Sequence, residues 1–184
     1  YINGDTTTYG SIENWDTSQV TDMSDLFKNG RLKQGSATET LDTSSFNKNI
    51  SNWNIGNVTN VNNMFNGAES FNQELNGWKV NNVTTMEGMF KRAKKFNKNL
   101  STWHVNNVTD MNYMFQYAED FDQDISNWEV ANVTSMKGMF RDASAFNQDI
   151  SEWNVNNVTD SENFAYNSPI NGTSYSPFSE PEPE

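Results

Sequence analysis

The sequence predicts a repeat solenoid of six short coils, each a short parallel strand joined to a short helix or 3-10 turn, with a cap at each end. Three observations lead there. Trp53, Trp78, Trp103, Trp128 and Trp153 stand 25 residues apart without a slip, and Phe46, Phe71, Phe96, Phe121 and Phe146 keep the same step. A fixed period of this size marks chains whose units bury their apolar faces by stacking on their neighbours. Only 34% of the 184 residues are hydrophobic and 30 are Asn, which suits a thin core shared coil by coil better than a spherical one.

Taken in order, residues 1–11 are polar apart from Tyr1, Ile2 and Tyr9 and are expected to cap the open end of the first coil. The solenoid is expected over 12–170. Its first coil runs from Ile12 to Phe27. Phe27 to Phe46 then spans 19 residues where the later coils take six, so 13 are inserted. This insertion, about 28–45, carries Lys28, Gly30, Arg31, Lys33 and Gly35 and reads as a loop bulging from one face. Five coils follow. The last decays to Ser161-Glu-Asn-Phe164-Ala165, and residues 171–178 are expected to cap it. Residues 179–184 read as the start of a Pro/Glu linker, and a chain opening on Tyr1 reads as part of a longer protein.

Within a coil the apolar spacing changes. Ile50, Trp53 and Ile55, interleaved with Asn52 and Asn54, predict a short strand. Val58, Val61, Met64, Phe65, Ala68 and Phe71 recur at three or four residues, as on one face of a helical segment. The Thr at 21, 59, 84, 109, 134 and 159 stands where that segment begins and reads as an N-cap; Thr84-x-x-Glu87 and Thr159-x-x-Glu162 match the capping box. Strand, tight turn, short helix and return is a leucine-rich-repeat-like plan, with Trp and Val in place of the strand leucines.

The run Asn147-Gln-Asp-Ile-Ser-Glu-Trp-Asn-Val-Asn-Asn-Val-Thr159 and the preceding Met136-Lys-Gly-Met-Phe140 resemble the 25-residue repeats of BspA-type leucine-rich-repeat surface proteins. The resemblance covers about residues 12–165; the insertion and the decayed last coil depart from it. It implies a surface-exposed interaction protein of a bacterium, of a class linked to adhesion to host proteins or other cells.

Bulk properties narrow the partners. A formal charge of −12 argues against nucleic acid and against docking on an anionic membrane. No apolar run approaches the roughly 20 residues needed to span a bilayer, so no direct insertion is expected. There is no cysteine, and hence no disulfide or thiolate chemistry. No cofactor is expected either. Catalysis has little to draw on, because His104 is the only histidine and no acid–base pair stands out from the repeated surface.

The repeated letters have structural readings set against functional ones. The tryptophans could form a stacking platform for sugars, yet their alternation with the Ile/Val column points them inward as a core ladder. Asn57, Asn82, Asn107, Asn132 and Asn157 each open an Asn-Val-Thr sequon, but an Asn recurring at a turn is better read as a ladder bonding adjacent coils. Asp120, Asp122 and Asp124 are a weak calcium candidate: an EF-hand loop needs Gly where Ile125 stands.

Ligand contacts are expected where the coils disagree. On either side of the tryptophans stand Asn52, Asn54, Lys79, Thr102, His104, Asn127, Glu129, Glu152 and Asn154, all expected to point outward. The resulting expectation is a non-catalytic recognition or adhesion segment at the outside of a bacterial cell. It would bind a host or neighbouring-cell protein or glycan through the outward face of the short sheet, with the 28–45 loop as a possible second contact. The alternative is a structural spacer presenting another domain.

Overall fold

Each repeat is a closed circuit of tight turns. In the coil around Trp53 the backbone N–H of Trp53 donates to the Ile50 carbonyl, Val58 to Ile55, Met64 to Val61, Ala68 to Phe65 and Phe71 to Ala68, at 2.9–3.1 Å. The residues that close these turns are the buried ones. In this computed structural model, which describes residues 10–34 and 37–178 and only the backbone of 30–34 and 37–41, the circuits stack coil on coil at the 25-residue step. Residues 1–9 of the expected N-terminal cap and the expected linker at 179–184 lie outside the described residues.

The expected solenoid of parallel strands and helices is not what the chain forms. Among the described residues the only strands are the antiparallel pair β1 (Gly30–Gln34) and β2 (Ala37–Leu41), and the only helix is one 3-10 turn, Ile12–Asn14. Parallel pairing between coils shrinks to isolated bridges linking Asp22, Asn60, Thr85, Asp110, Ser135 and Asp160 in series.

The reason is local. Asn63 and Gly67 adopt left-handed backbone (φ 54 and 78), as do Gly88 and Arg92, Tyr113 and Tyr117, Gly138 and Asp142, and Asn163 and Asn167. An α-helix cannot pass through such residues. Instead the N–H groups alternate. Those of Asn63, Phe65 and Gly67 donate to Glu87, Met89 and Lys91 of the next coil, while those of Met64, Asn66 and Ala68 close turns within their own. The apolar spacing of three that suggests a helix is the spacing of turn closure.

The threonines therefore cap nothing. Thr84 N–H and Oγ1 both donate to the carbonyl of Thr59 one coil earlier, at 2.9 and 3.2 Å, and Thr109, Thr134 and Thr159 repeat the pattern. The capping boxes do not form, since Glu87 N–H goes to Asn62 Oδ1 and Glu162 N–H to Asp160 Oδ1.

The insertion, expected as a loop, is a hairpin. β1 pairs with β2 antiparallel in register from Gly30–Leu41 to Gln34–Ala37. Its ends are pinched together by the buried Thr43 hydroxyl, which donates to the Phe27 carbonyl at 2.6 Å. Phe27 and Phe46 consequently stack at 3.9 Å, as Phe90 and Phe96 do at 4.1 Å in an uninterrupted coil. The extra residues leave the stack undisturbed.

Two phenylalanine columns run through the core. Phe65, Phe90, Phe115 and Phe140 stack 5.6 Å apart, and Phe71, Phe96, Phe121 and Phe146 at 5.8–6.1 Å. The planes are nearly parallel until Phe164, which meets Phe140 edge-on at 83° and is itself covered by Phe178. Each buried ring contributes on the order of 2–3 kcal/mol.

Side chains add a longer period than the backbone. Asn60 and Asp110 fold back to accept the N–H two residues on, whereas Thr85 and Ser135 donate their hydroxyls to Asn62 and Asn112 of the coil before. Beside them the left-handed column reads Asn63, Gly88, Tyr113, Gly138, Asn163. A Cβ on Gly88 would stand 2.5 Å from Asn63 Oδ1, and one on Gly138 2.9 Å from the Tyr113 ring. From Asn60 onward the coils thus alternate between two complementary types.

Candidate interaction surface

Trp53, Trp78, Trp103, Trp128 and Trp153 lie in the core, at most 5% exposed, and Trp15 is partly buried against it. Each indole donates Nε1–H to a carbonyl of the preceding coil: Trp53 to Ile12, Trp78 to Ile50, Trp103 to Leu75, Trp128 to Leu100 and Trp153 to Ile125, at 2.9–3.2 Å. A buried indole needs such a partner. These rings offer no face to a ligand.

The exposed Asn column works the same way from outside. Nδ2 of Asn57, Asn82, Asn107, Asn132 and Asn157 donates at 2.6–2.7 Å to Ser18, Gly56, Asn81, Asn106 and Ala131. The sequon nitrogen is occupied in holding coil to coil.

The three aspartates read as a weak calcium candidate do not converge. Asp120 pairs with Lys95 at 3.1 Å, Asp122 Oδ1 accepts Asn147 N–H and Gln148 Nε2, and Asp124 Oδ1 accepts Ser126 N–H at 2.9 Å. The Ser126 N–H holds the Asp124 carboxyl below its ordinary pKa, and Ser151 does the same for Asp149. Each carboxylate has its own partners, Asp120 and Asp122 on neighbouring coils and Asp124 in its own turn.

All nine residues flanking the tryptophans are exposed. The sheet on whose face they were expected does not form among the described residues; Asn52, Thr102, Asn127 and Glu152 stand on turns, and the other five on the short links that follow the tryptophans. Thr102 and Asn127 donate to Asn76 and Ser101 carbonyls, and Asn54 and Asn154 accept from Gly56 and Asn156 N–H. These four already have structural work. Asn52, Lys79, His104, Glu129 and Glu152 make no hydrogen bond or ion pair with another described residue. The stacking brings Lys79, His104 and Glu129 onto successive coils, each beside a buried Trp, as one exposed column. Sequence reasoning passed over Lys91, Arg92 and Arg141, which lie over tyrosines of the next coil. For the two arginines the signal was present, since each partner is 25 residues on.

The 25-residue frame, the turn-closing apolar positions and the Asn-Val-Thr ladder together define the chain. A family described as Mycoplasma protein of unknown function, DUF285, matches residues 2–117 and again 74–175. The chain belongs to the DUF285 family. The two matches overlap, as expected for a DUF285 unit laid over a repeat that continues at constant step. No curated protein and no solved structure matches the chain.

Proposed function

We propose that this chain is a non-catalytic recognition segment of a bacterial cell-surface protein, adhering to a protein or glycan on a host or neighbouring cell. The exposed column Lys79, His104, Glu129 carries this reading. The frame fixes its own letters coil after coil, whereas these positions bear an ammonium, an imidazole and a carboxylate in turn and bond to no other described residue. The backbone that carries these side chains is already ordered by coil-to-coil hydrogen bonds, so binding need order only the side chains. The resemblance of the repeat to BspA-type surface proteins supports the same reading and the cell-surface location.

The test is a protein and glycan array probed with the chain and with a variant carrying Lys79→Gln, His104→Gln, Glu129→Gln and Glu152→Gln. The expected result is that features bound by the parent lose about tenfold or more in affinity while the melting temperature is unchanged. Equal binding by the variant overturns the assignment. A second reading, a spacer presenting another domain, is favoured by the unbroken Thr and Asn ladders, which tie every coil to the next; it predicts no bound feature at all.

A further inference from the structure

On another side of the coil, half a circuit beyond Lys79, three cations ride on tyrosine rings. Lys91 Nζ lies 4.8 Å from the centre of Tyr113, Arg92 Cζ 5.4 Å from that of Tyr117, and Arg141 Cζ 5.4 Å from that of Tyr166. Backbone bonds Arg92 N–H to Gln116, Tyr117 N–H to Arg141 and Asp142 N–H to Tyr166 set these residues on four consecutive coils. The groups form a ridge along the stacking axis.

Lys91 and Arg92 differ from the lysines that bridge the coils. Lys94, Lys95, Lys98 and Lys137 are all paired with carboxylates of neighbouring coils. Lys91 and Arg92 are paired with none among the described residues, in a chain of net charge −12. Burial lowers the Lys91 ammonium below its ordinary pKa; Arg92, Arg141 and Lys28 push the same way and Glu87 opposes them. The fold gathers like charges here, and among Lys91, Arg92 and Arg141 only Arg141 has a carboxylate partner among the described residues, Asp142 at 3.3 Å.

The backbone also bears a cost at these residues. Arg92, Tyr113 and Tyr117 have φ of 56–58, the left-handed region, where other coils place Gly67, Gly88 and Gly138 or the short polar Asn63, Asp142, Asn163 and Asn167. A bulky side chain in that region costs roughly 1–2 kcal/mol. Strain kept where glycine would relieve it points to a use for the side chains.

We propose that this ridge binds a linear anionic polysaccharide, laid along the stacking axis with its carboxylate or sulfate groups on Arg92 and Arg141. A guanidinium held over a phenol ring by its charge leaves N–H donors that the ring does not use, ready for an oxyanion. Arg141 lends Nε to Asp142 and keeps its two terminal nitrogens for a ligand. Two rungs separate Arg92 from Arg141, roughly 10 Å at the usual spacing of bonded backbones. A sugar residue in an extended chain advances by about one rung, so acid groups on alternate sugars meet both arginines. Same-face side chains of an extended peptide recur at about 6.7 Å and fall out of step with the rungs. The ridge is separate from the Lys79 column, so either surface can fail without the other.

Titration calorimetry of the whole chain with polygalacturonate, dextran sulfate and poly-L-glutamate of matched length tests this. One or both polysaccharides should bind at low salt and weaken as salt is added; which of the two does so separates carboxylate from sulfate recognition. Poly-L-glutamate should bind about tenfold more weakly or worse, and Arg92→Gln with Arg141→Gln should lower polysaccharide affinity about tenfold or more. Lys95→Gln with Lys98→Gln, an equal loss of charge at paired lysines, should leave affinity as it is. Arg92→Lys with Arg141→Lys keeps a cation over each ring and removes the fork, so it should fall between the parent and the Gln pair, and it decides the matter if the Gln pair does not fold. No polysaccharide binding, equal binding of poly-L-glutamate, or parental affinity in either arginine variant overturns the proposal.

Discussion

A carboxylate that accepts the N–H two residues ahead recurs through the stack, at Asp16, Asp22, Asp42, Asp124 and Asp149, and each is held below its ordinary pKa by the serine it caps. A group whose pKa falls on folding stabilises the fold above the unfolded pKa, and that contribution is lost as pH falls through the folded one. Melting temperature should therefore be level near neutrality and decline from about pH 4 downward. Asn49 and Asn99 perform the same capping on Ser51 and Ser101 without titrating. Asp124→Asn with Asp149→Asn should thus leave neutral stability nearly unchanged and flatten the acid decline; an equally steep decline would show that these turns are not its source.

At the scale of the element, the turn between the two left-handed positions is the unit that matters. Gly138→Ala places a Cβ 2.9 Å from the Tyr113 ring at φ 55 and should cost more than about 1 kcal/mol by urea denaturation. Adding Tyr113→Ala should recover the steric share and leave the dihedral share; strict additivity of the two changes would sink the contact as the cause. This element is also where sequence reading reached its limit. The buried letters Val61, Met64, Phe65 and Ala68 were legible, because burial repeats at fixed step. Their secondary structure was not, because a chain of i to i+3 turns and a helix place apolar residues at the same intervals. The left-handed positions are filled by Asn, Gly, Tyr, Arg and Asp, so no single residue type announces them. The free column at Lys79, His104 and Glu129 could be found by asking which letters the repeat leaves unfixed. Separating it from Asn54, Thr102 and Asn127, which look equally free, needed the hydrogen bonds.

For the whole molecule the alternation of coil types makes length a matter of even numbers. Stability of a stacked array is close to a sum of coils and the interfaces between them. Removing residues 86–135 joins Thr85 to Met136 and keeps Gly138 next to Asn63, where Gly88 now stands. Removing only 86–110 sets Tyr113 against Asn63 in a place where a Cβ would stand 2.5 Å from Asn63 Oδ1, so that the Asn63 side chain must shift. The shorter protein, lacking 50 residues, should melt at the higher temperature, and the reverse order by calorimetry would refute the two-type alternation. The last coil carries a different lesson. Parallel rings at constant spacing make each coil a template for another like it, and an array that ended on one more flat phenylalanine would offer that template to any second molecule. Phe164, turned on edge and covered by Phe178, presents no such surface, so polymerisation from this end finds no seed.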